Sequence, residues 1–161
     1  MKVLIATDGS KFSKRAIEES CRIFGNYPDS EMKVLSVFKN INPLPTVPFI
    51  IPENYQQQFD QEARAEAERI TMEATKLIRR KCPNVSLTAE VEELSGGTVS
   101  QKIIEKTKEW RPDFVVVGTH GRGFWGRLTI GSVSDAVIHH APCSVLVVRS
   151  RKKAMAKNNV G

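Results

Sequence analysis

The stretch from Phe114 to Val148, FVVVGTHGRGFWGRLTIGSVSDAVIHHAPCSVLVV, constrains the fold more than any other part of the chain. A short apolar run (Phe114–Val117) passes into a glycine-rich loop (Gly118–Gly131). Ser132 then opens a helical pattern, and a second apolar run (Val145–Val148) follows. Strand, glycine loop and helix start together build an anion site from backbone N–H groups, because glycine lets a ligand approach the main chain without Cβ obstruction. A helix terminus favours an anion by only ~0.3–1 kcal/mol, or ~2 kcal/mol when partly buried. Micromolar binding needs about −8 kcal/mol. A loop of this kind therefore needs several N–H bonds and a buried base, and we expect it to hold the phosphates of a nucleotide.

Upstream, apolar runs and helical patterns alternate. Lys2–Thr7 reads as a strand buried on both faces. Asp8-Gly9-Ser10 turns the chain into a helix reaching about Phe24, with Ser10 or Ser13 as N-cap and Gly25-Asn26 as stop. Met32–Phe38 is a second strand. Residues 40–52 carry prolines at 43, 45, 48 and 52, which exclude a central strand or a helix interior. That segment is either an ordered loop packing on its own domain, or a lid or subunit contact through Val47, Phe49, Ile50 and Ile51. A long helix from Tyr55 to Arg80 follows, its apolar stripe made by Phe59, Ala63, Ala67, Ile70, Ala74, Leu77 and Ile78. Val85–Val91 alternates like a strand with one wetter face, at or near a sheet edge. Ser95-Gly96-Gly97 leads to a helix from Thr98 to Trp110, whose cap Thr98 supplies. Five strands alternating with four helices predict a parallel sheet covered on both faces. A reversal of strand order that sets strands 1 and 4 side by side brings Thr7-Asp8-Gly9 and Gly118–Ser132 to one crevice.

Charge and cysteine content narrow the function classes. Of the 24 lysines and arginines, five lie in residues 149–161, which contain no acid. Without that tail the body has 19 basic against 18 acidic residues. All but one unit of the net charge of +6 thus belongs to the tail, and the folded body lacks the excess a nucleic-acid face needs. The first apolar run, Val3–Ala6, is too short for a signal-peptide core, and no segment approaches the ~20 apolar residues that span a bilayer. Cys21, Cys82 and Cys143 are odd in number and show no C-x-x-C spacing. A disulfide framework or zinc site is not expected; each cysteine is read as packing, and a reducing cytoplasm is expected. Glu62, Glu66 and Glu73, against Arg69 and Arg80, read as a solvated helix face rather than a metal pair.

Three loop motifs can be weighed. No glycine is followed by lysine and then serine or threonine, so a P-loop is excluded. Gly121-Arg122-Gly123-Phe124-Trp125-Gly126 matches G-x-G-x-x-G by letter, but it does not open a helix directly and the next strand ends in Arg149, not an acid. Gly118-x2-Gly121-x9-Gly131-Ser132 does fit a pattern: it resembles the ATP-binding signature of the universal stress protein family. Lys2–Ser10 resembles that family's opening strand and acidic turn, and Ser132-Val133-Ser134 with Ala141–Val148 its last helix and strand. The similarity covers residues 1–149 as one nucleotide-binding domain and leaves 150–161 as a basic tail.

The resemblance implies a Rossmann-like, three-layer α/β/α fold with a five-stranded parallel sheet in the order 3-2-1-4-5. It also implies homodimers that pair the last strand, Val145–Val148. Ala6, Thr7 and Asp8 match the first strand end, with Asp8 near ribose and a phosphate-bound metal. Val37 matches an adenine contact. Val117, Gly118 and Gly121, then Gly131, Ser132, Val133 and Ser134, match the ribose and phosphate cradle. The expected ligands are ATP (or AMP or ADP) and Mg²⁺, the metal reaching Asp8 through the phosphates.

His120 is a further candidate contact to ribose or phosphate; Arg122 and Arg127 could each meet phosphates, or equally be solvated or serve the dimer. Phe124 and Trp125 read as packing residues, and His139 and His140 as cations favoured at a helix end. No complete hydrolytic set can be assembled. The expected function is a cytoplasmic, ATP-binding regulator of a stress response that switches with nucleotide and acts on an unknown protein partner. The rivals are a slow ATPase or self-phosphorylating protein, and a structural dimer that binds AMP or no nucleotide.

Overall fold

A computed structural model describes residues 1–39, 53–121 and 130–149. The proline-rich segment 40–52, the loop residues Arg122, Phe124, Trp125 and Arg127, and the tail 150–161 lie outside the described residues. Nine elements follow one another: β1 (Lys2–Ala6), α1 (Lys11–Phe24), β2 (Glu31–Lys39), α2 (Glu53–Lys81), β3 (Ser86–Leu94), α3 (Val99–Trp110), β4 (Phe114–Gly118), α4 (Ser132–His140) and β5 (Ser144–Val148). The strands form one parallel sheet in the order β3-β2-β1-β4-β5. This is the expected Rossmann-like arrangement, with the reversal between β1 and β4.

Strand alternation sends side chains to two cores. Val3 and Ile5 of β1, Met32 and Val34 of β2 and Val116 of β4 meet Ala16, Ile17, Cys21 and Phe24 of α1, with Ala74 and Ile78 of α2. On the opposite face Leu4, Leu35, Val115 and Val117 meet Ile103 of α3 and Val137 of α4. Both layers are dry at the centre: Val3, Leu4, Ile5, Val34, Val115 and Val116 are fully buried.

Local chemistry sets the helix ends. Ser10 caps α1 by accepting from the Ser13 N–H. Thr98 and Gln101 form a reciprocal capping box on α3. Arg111 closes α3 in the left-handed region at φ 49°, and its N–H donates to the Thr107 carbonyl.

β3 lies at the sheet edge, as its alternation predicts, and two features go beyond what the sequence pattern says. The apolar stripe of α2 does not reach the core over its whole length. Full burial begins at Ala67, while Tyr55 and Phe59 are exposed. The reason is length: 29 residues span about 43 Å, whereas the nine-residue strands beneath span about 30 Å. The wetter face of β3 also proves to be partly covered. Glu90 and Glu92, two residues apart on one strand, sit under α3, where Lys106 pairs with both at 2.7 and 2.6 Å. Lys33 joins Glu90 from β2 at 3.3 Å and lies 4.9 Å from the Trp110 ring centre.

Candidate functional site

The strand order leaves a crevice where β1 and β4 part, beyond their carboxyl ends. A cavity of about 380 Å³ lies there, within the range of small-molecule sites. Of the thirteen candidates read from the sequence, the structure brings twelve to its walls: Ala6, Thr7 and Asp8 at one side; Val37 at the back; Val117, Gly118, His120 and Gly121 along the loop; and Gly131, Ser132, Val133 and Ser134 at the helix start. Arg122 lies outside the described residues. Four further lining residues were missed, namely Ser13, Leu35, Val99 and Ile103. Leu35 could have been found, since it lies two residues before Val37 and shares its strand face. Val99 and Ile103 are apolar positions of α3 that no motif marks as lining a site.

The β1 end is rigidly built. The Thr7 N–H continues the ladder to the Leu35 carbonyl at 2.9 Å, and its hydroxyl donates to Ser13 Oγ at 3.1 Å. Asp8 Oδ1 accepts from the Ser10 N–H at 3.1 Å, which fixes the carboxylate at the cavity wall. Gly9 takes φ 76°, a left-handed turn that suits glycine. Asp8 is the one acid lining the cavity among the described residues. No group of three or more candidate metal ligands forms among those residues. A cation beside Asp8 would therefore take most of its oxygens from a ligand and water, the usual coordination of Mg²⁺ with phosphates.

The three signature glycines do different work. A Cβ on Gly118 would lie 2.8 Å from the Phe12 carbonyl carbon and 2.9 Å from its oxygen. Gly118 thus lets α1 pack directly on the end of β4. A Cβ on Gly131 would lie 3.1 Å from the Thr119 carbonyl oxygen, the same oxygen that accepts the Gly131 N–H at 2.8 Å. Only Gly121 faces the cavity chemistry, where an added Cβ would stand 3.0 Å from Asp8 Oδ2.

The start of α4 differs from those of α1 and α3. Its N-cap is Gly131, and no side chain among the described residues caps it. The orphan N–H groups of Ser132 and Val133 are therefore left to the cavity. Both serines belong to the expected phosphate cradle, and the structure separates them. Ser132 is exposed, but Ser134 is buried, its Oγ lying 2.8 Å from the Gly131 carbonyl and 3.1 Å from that of Thr119. Ser134 holds the loop rather than offering its proton outward. The back wall is apolar, with Leu35, Val37, Val99, Ile103 and Val133 forming a slot between β2, α3 and α4. His120 stands at the wall with its ring 5.1 Å from that of Phe12. An acid, an uncapped helix start and an apolar slot in one cavity suit an amphipathic anion with a flat apolar part.

Comparison with known proteins places the chain. A model of the Universal stress protein family matches residues 1–149. The chain is 28% identical over 152 residues to universal stress protein MJ0531 of Methanocaldococcus jannaschii, covering 94% of this chain and 84% of that protein. It superposes on the solved structure of hypothetical protein MJ0577 with a TM-score of 0.78 at 20% identity, covering 94% and 96% of the two chains. A universal stress protein family protein of Arabidopsis thaliana, solved with AMP bound, superposes with a TM-score of 0.63 at 22% identity, covering 98% and 97%. With the family match running from the first strand through the last, the chain belongs to the universal stress protein family.

Proposed function

We propose that the cavity binds an adenine nucleotide, with ATP as the preferred ligand and Mg²⁺ carried on its phosphates, and that occupancy switches the protein as a regulator. One observation carries the reading. The uncapped start of α4 and the Asp8 carboxylate share a single cavity with the apolar slot of Leu35, Val37, Val99 and Ile103. Phosphates suit the helix start, a base suits the slot, and ribose falls between them near Gly118 and Gly121. Proteins of the same fold support it: the Arabidopsis structure carries AMP, another universal stress protein is in complex with cAMP, and one from Archaeoglobus fulgidus is in complex with dAMP. Binding is favoured over catalysis because, among the described residues, Asp8 is the one acid lining the cavity and no second acid completes a hydrolytic set.

The deciding experiment is calorimetric titration with ATP, ADP and AMP, with and without Mg²⁺, beside mass spectrometry of whatever small molecule leaves the denatured protein. ATP binding that weakens when Val37 is replaced by aspartate supports the reading. Equal ATP affinity in both proteins would place the base elsewhere, and preference for AMP would remove the role assigned to the triphosphate. Label from γ-labelled ATP retained on the protein would favour the self-phosphorylating alternative.

We further propose that two copies pair through β5, in the cytoplasm of the cell. Among the described residues the strand pairs with β4 alone. Ile138 of α4 is an exposed apolar side chain. No helix among the described residues is long and apolar enough to cross a membrane.

A further inference from the structure

Cys21 and Cys82 lie 61 positions apart in sequence, yet the structure places their sulfurs 2.9 Å apart. Cys21 is on the last turns of α1, and Cys82 directly follows α2. Both are buried, with exposures of 7% and 4%, inside the core between these helices and the sheet. Gly25 makes the approach possible: a Cβ there would stand 2.8 Å from the Cys82 Cβ. The absent side chain lets the residue after α2 seat directly against the end of α1. The Cys82 N–H donates to the Ile78 carbonyl at 2.8 Å, which fixes the backbone that carries the thiol. Cys143 sits on the other face of the sheet, packed on the second core.

We infer that Cys21 and Cys82 form an oxidisable dithiol that closes to a disulfide under peroxide, tying α1 to the end of α2. One thiol loses its proton and attacks an oxygen of hydrogen peroxide. An S–O bond forms, the O–O bond breaks, and the leaving hydroxide takes up that proton as water. The second thiol then attacks the sulfenic sulfur. The S–S bond forms, the S–O bond breaks, and a second water leaves. Two thiols are oxidised by two electrons and one peroxide is reduced to two waters. A small-molecule dithiol reverses the reaction by exchange.

Burial, followed by the hydrogen bond and charge of Cys82, pushes the Cys21 thiol well above the usual thiol range. The thiolate is scarce, so the first step is slow and the pair responds to sustained oxidant rather than to a brief pulse. Closure needs little movement of either helix, because the sulfurs already touch. The linked chain has fewer unfolded conformations, which raises its thermal stability. The site lies on the α1/α2 face of the sheet, whereas the nucleotide slot is lined from the α3/α4 face.

The test uses the full-length folded protein. It is treated with hydrogen peroxide, unfolded in the presence of an alkylating reagent, digested and mapped by mass spectrometry. The expected result is a peptide linking Cys21 to Cys82, a mass lower by two hydrogens, alkylated Cys143, and full reversal by dithiothreitol. Cys143→Ser should form the same link. The linked form should melt roughly 5–10 °C higher than the reduced one. Alkylation of both Cys21 and Cys82 after Cys143 has been oxidised would overturn the inference, as would a link made only through Cys143. A linked form that melts lower would show that closure drags the helices out of register, and would equally overturn it.

Discussion

Gly118 and Gly121 stand three residues apart in one signature, yet a methyl group on each would be felt by different neighbours. At Gly118 it meets the backbone of Phe12 at 2.8 Å, and backbone cannot move without shifting α1. Gly118→Ala should therefore cost about 1–3 kcal/mol of stability, the usual range for overpacking, and lower the midpoint of a urea melt. At Gly121 the methyl would stand 3.0 Å from Asp8 Oδ2, so among the described residues a side chain rather than backbone has to give. Gly121→Ala should leave stability within about 0.5 kcal/mol of the parent while weakening ATP binding through the displaced carboxylate. A pair of melts and a pair of calorimetric titrations separate the two. Equal loss of stability in both variants would contradict this division of labour. The spacing of the glycines was legible in the sequence, but their separate roles were not, because Phe12 and Asp8 reach the loop only through the packing of α1 on β4. Ser134 is a similar case: its letter fits a phosphate donor, and only the nearby Thr119 carbonyl reveals that the hydroxyl is taken.

At the scale of elements, β3 and α3 are joined by charge as much as by apolar packing. Partial burial alone would raise the Glu90 carboxyl, but hydrogen bonds with Lys106, Glu92 and Lys33 outweigh it and bring the group down to about 2. The hydrogen bonds from Glu90 and Glu92 likewise push Lys106 well above the usual lysine range. The signs give a pH window. A depressed carboxylate stabilises the fold above its unfolded value of about 4.3, and that contribution disappears as pH falls from there towards 2. A raised lysine stabilises below about 10.4 and loses its contribution as pH rises beyond that value through its folded one. Glu90→Gln should thus cost about 1 kcal/mol near neutral pH, after allowance for solvent screening of a half-buried network. The gap from the parent should close below about pH 3, where Glu90 is becoming protonated. Urea melts across that range check it, and a gap independent of pH would assign the loss to packing instead. The alternation of β3 was readable in the sequence, and so was the capping box at Thr98. The lysine that covers Glu90 and Glu92 was not, because strand period and helix period must be phased against each other before Lys106 can be seen to face β3.

At the scale of the molecule, the sheet ends in a strand that offers half its hydrogen-bonding capacity to whatever lies beside it. The Ser144 N–H donates to the Asp113 carbonyl and the Val148 carbonyl accepts from the Thr119 N–H. Main-chain groups alternate sides along a strand, so Ser144, Leu146 and Val148 serve β4 while Val145 and Val147 turn their N–H and C=O groups outward. An unpaired apolar edge is a template for another strand, and a second copy of β5 is the occupant proposed above. The alternation supplies a selective test. Proline lacks the N–H and is tolerated on an edge only where that donor faces away from its own sheet. Val147→Pro should leave the β4–β5 ladder intact and remove an outer-edge donor, while trimming a side chain that packs on the second core. Sedimentation velocity should then show a dimer for the parent and a monomer for the variant, with circular dichroism unchanged. A variant that stays dimeric would move the interface away from β5. A parent that sediments as a monomer would show that the edge is left to water, and that pairing is no part of how this chain works.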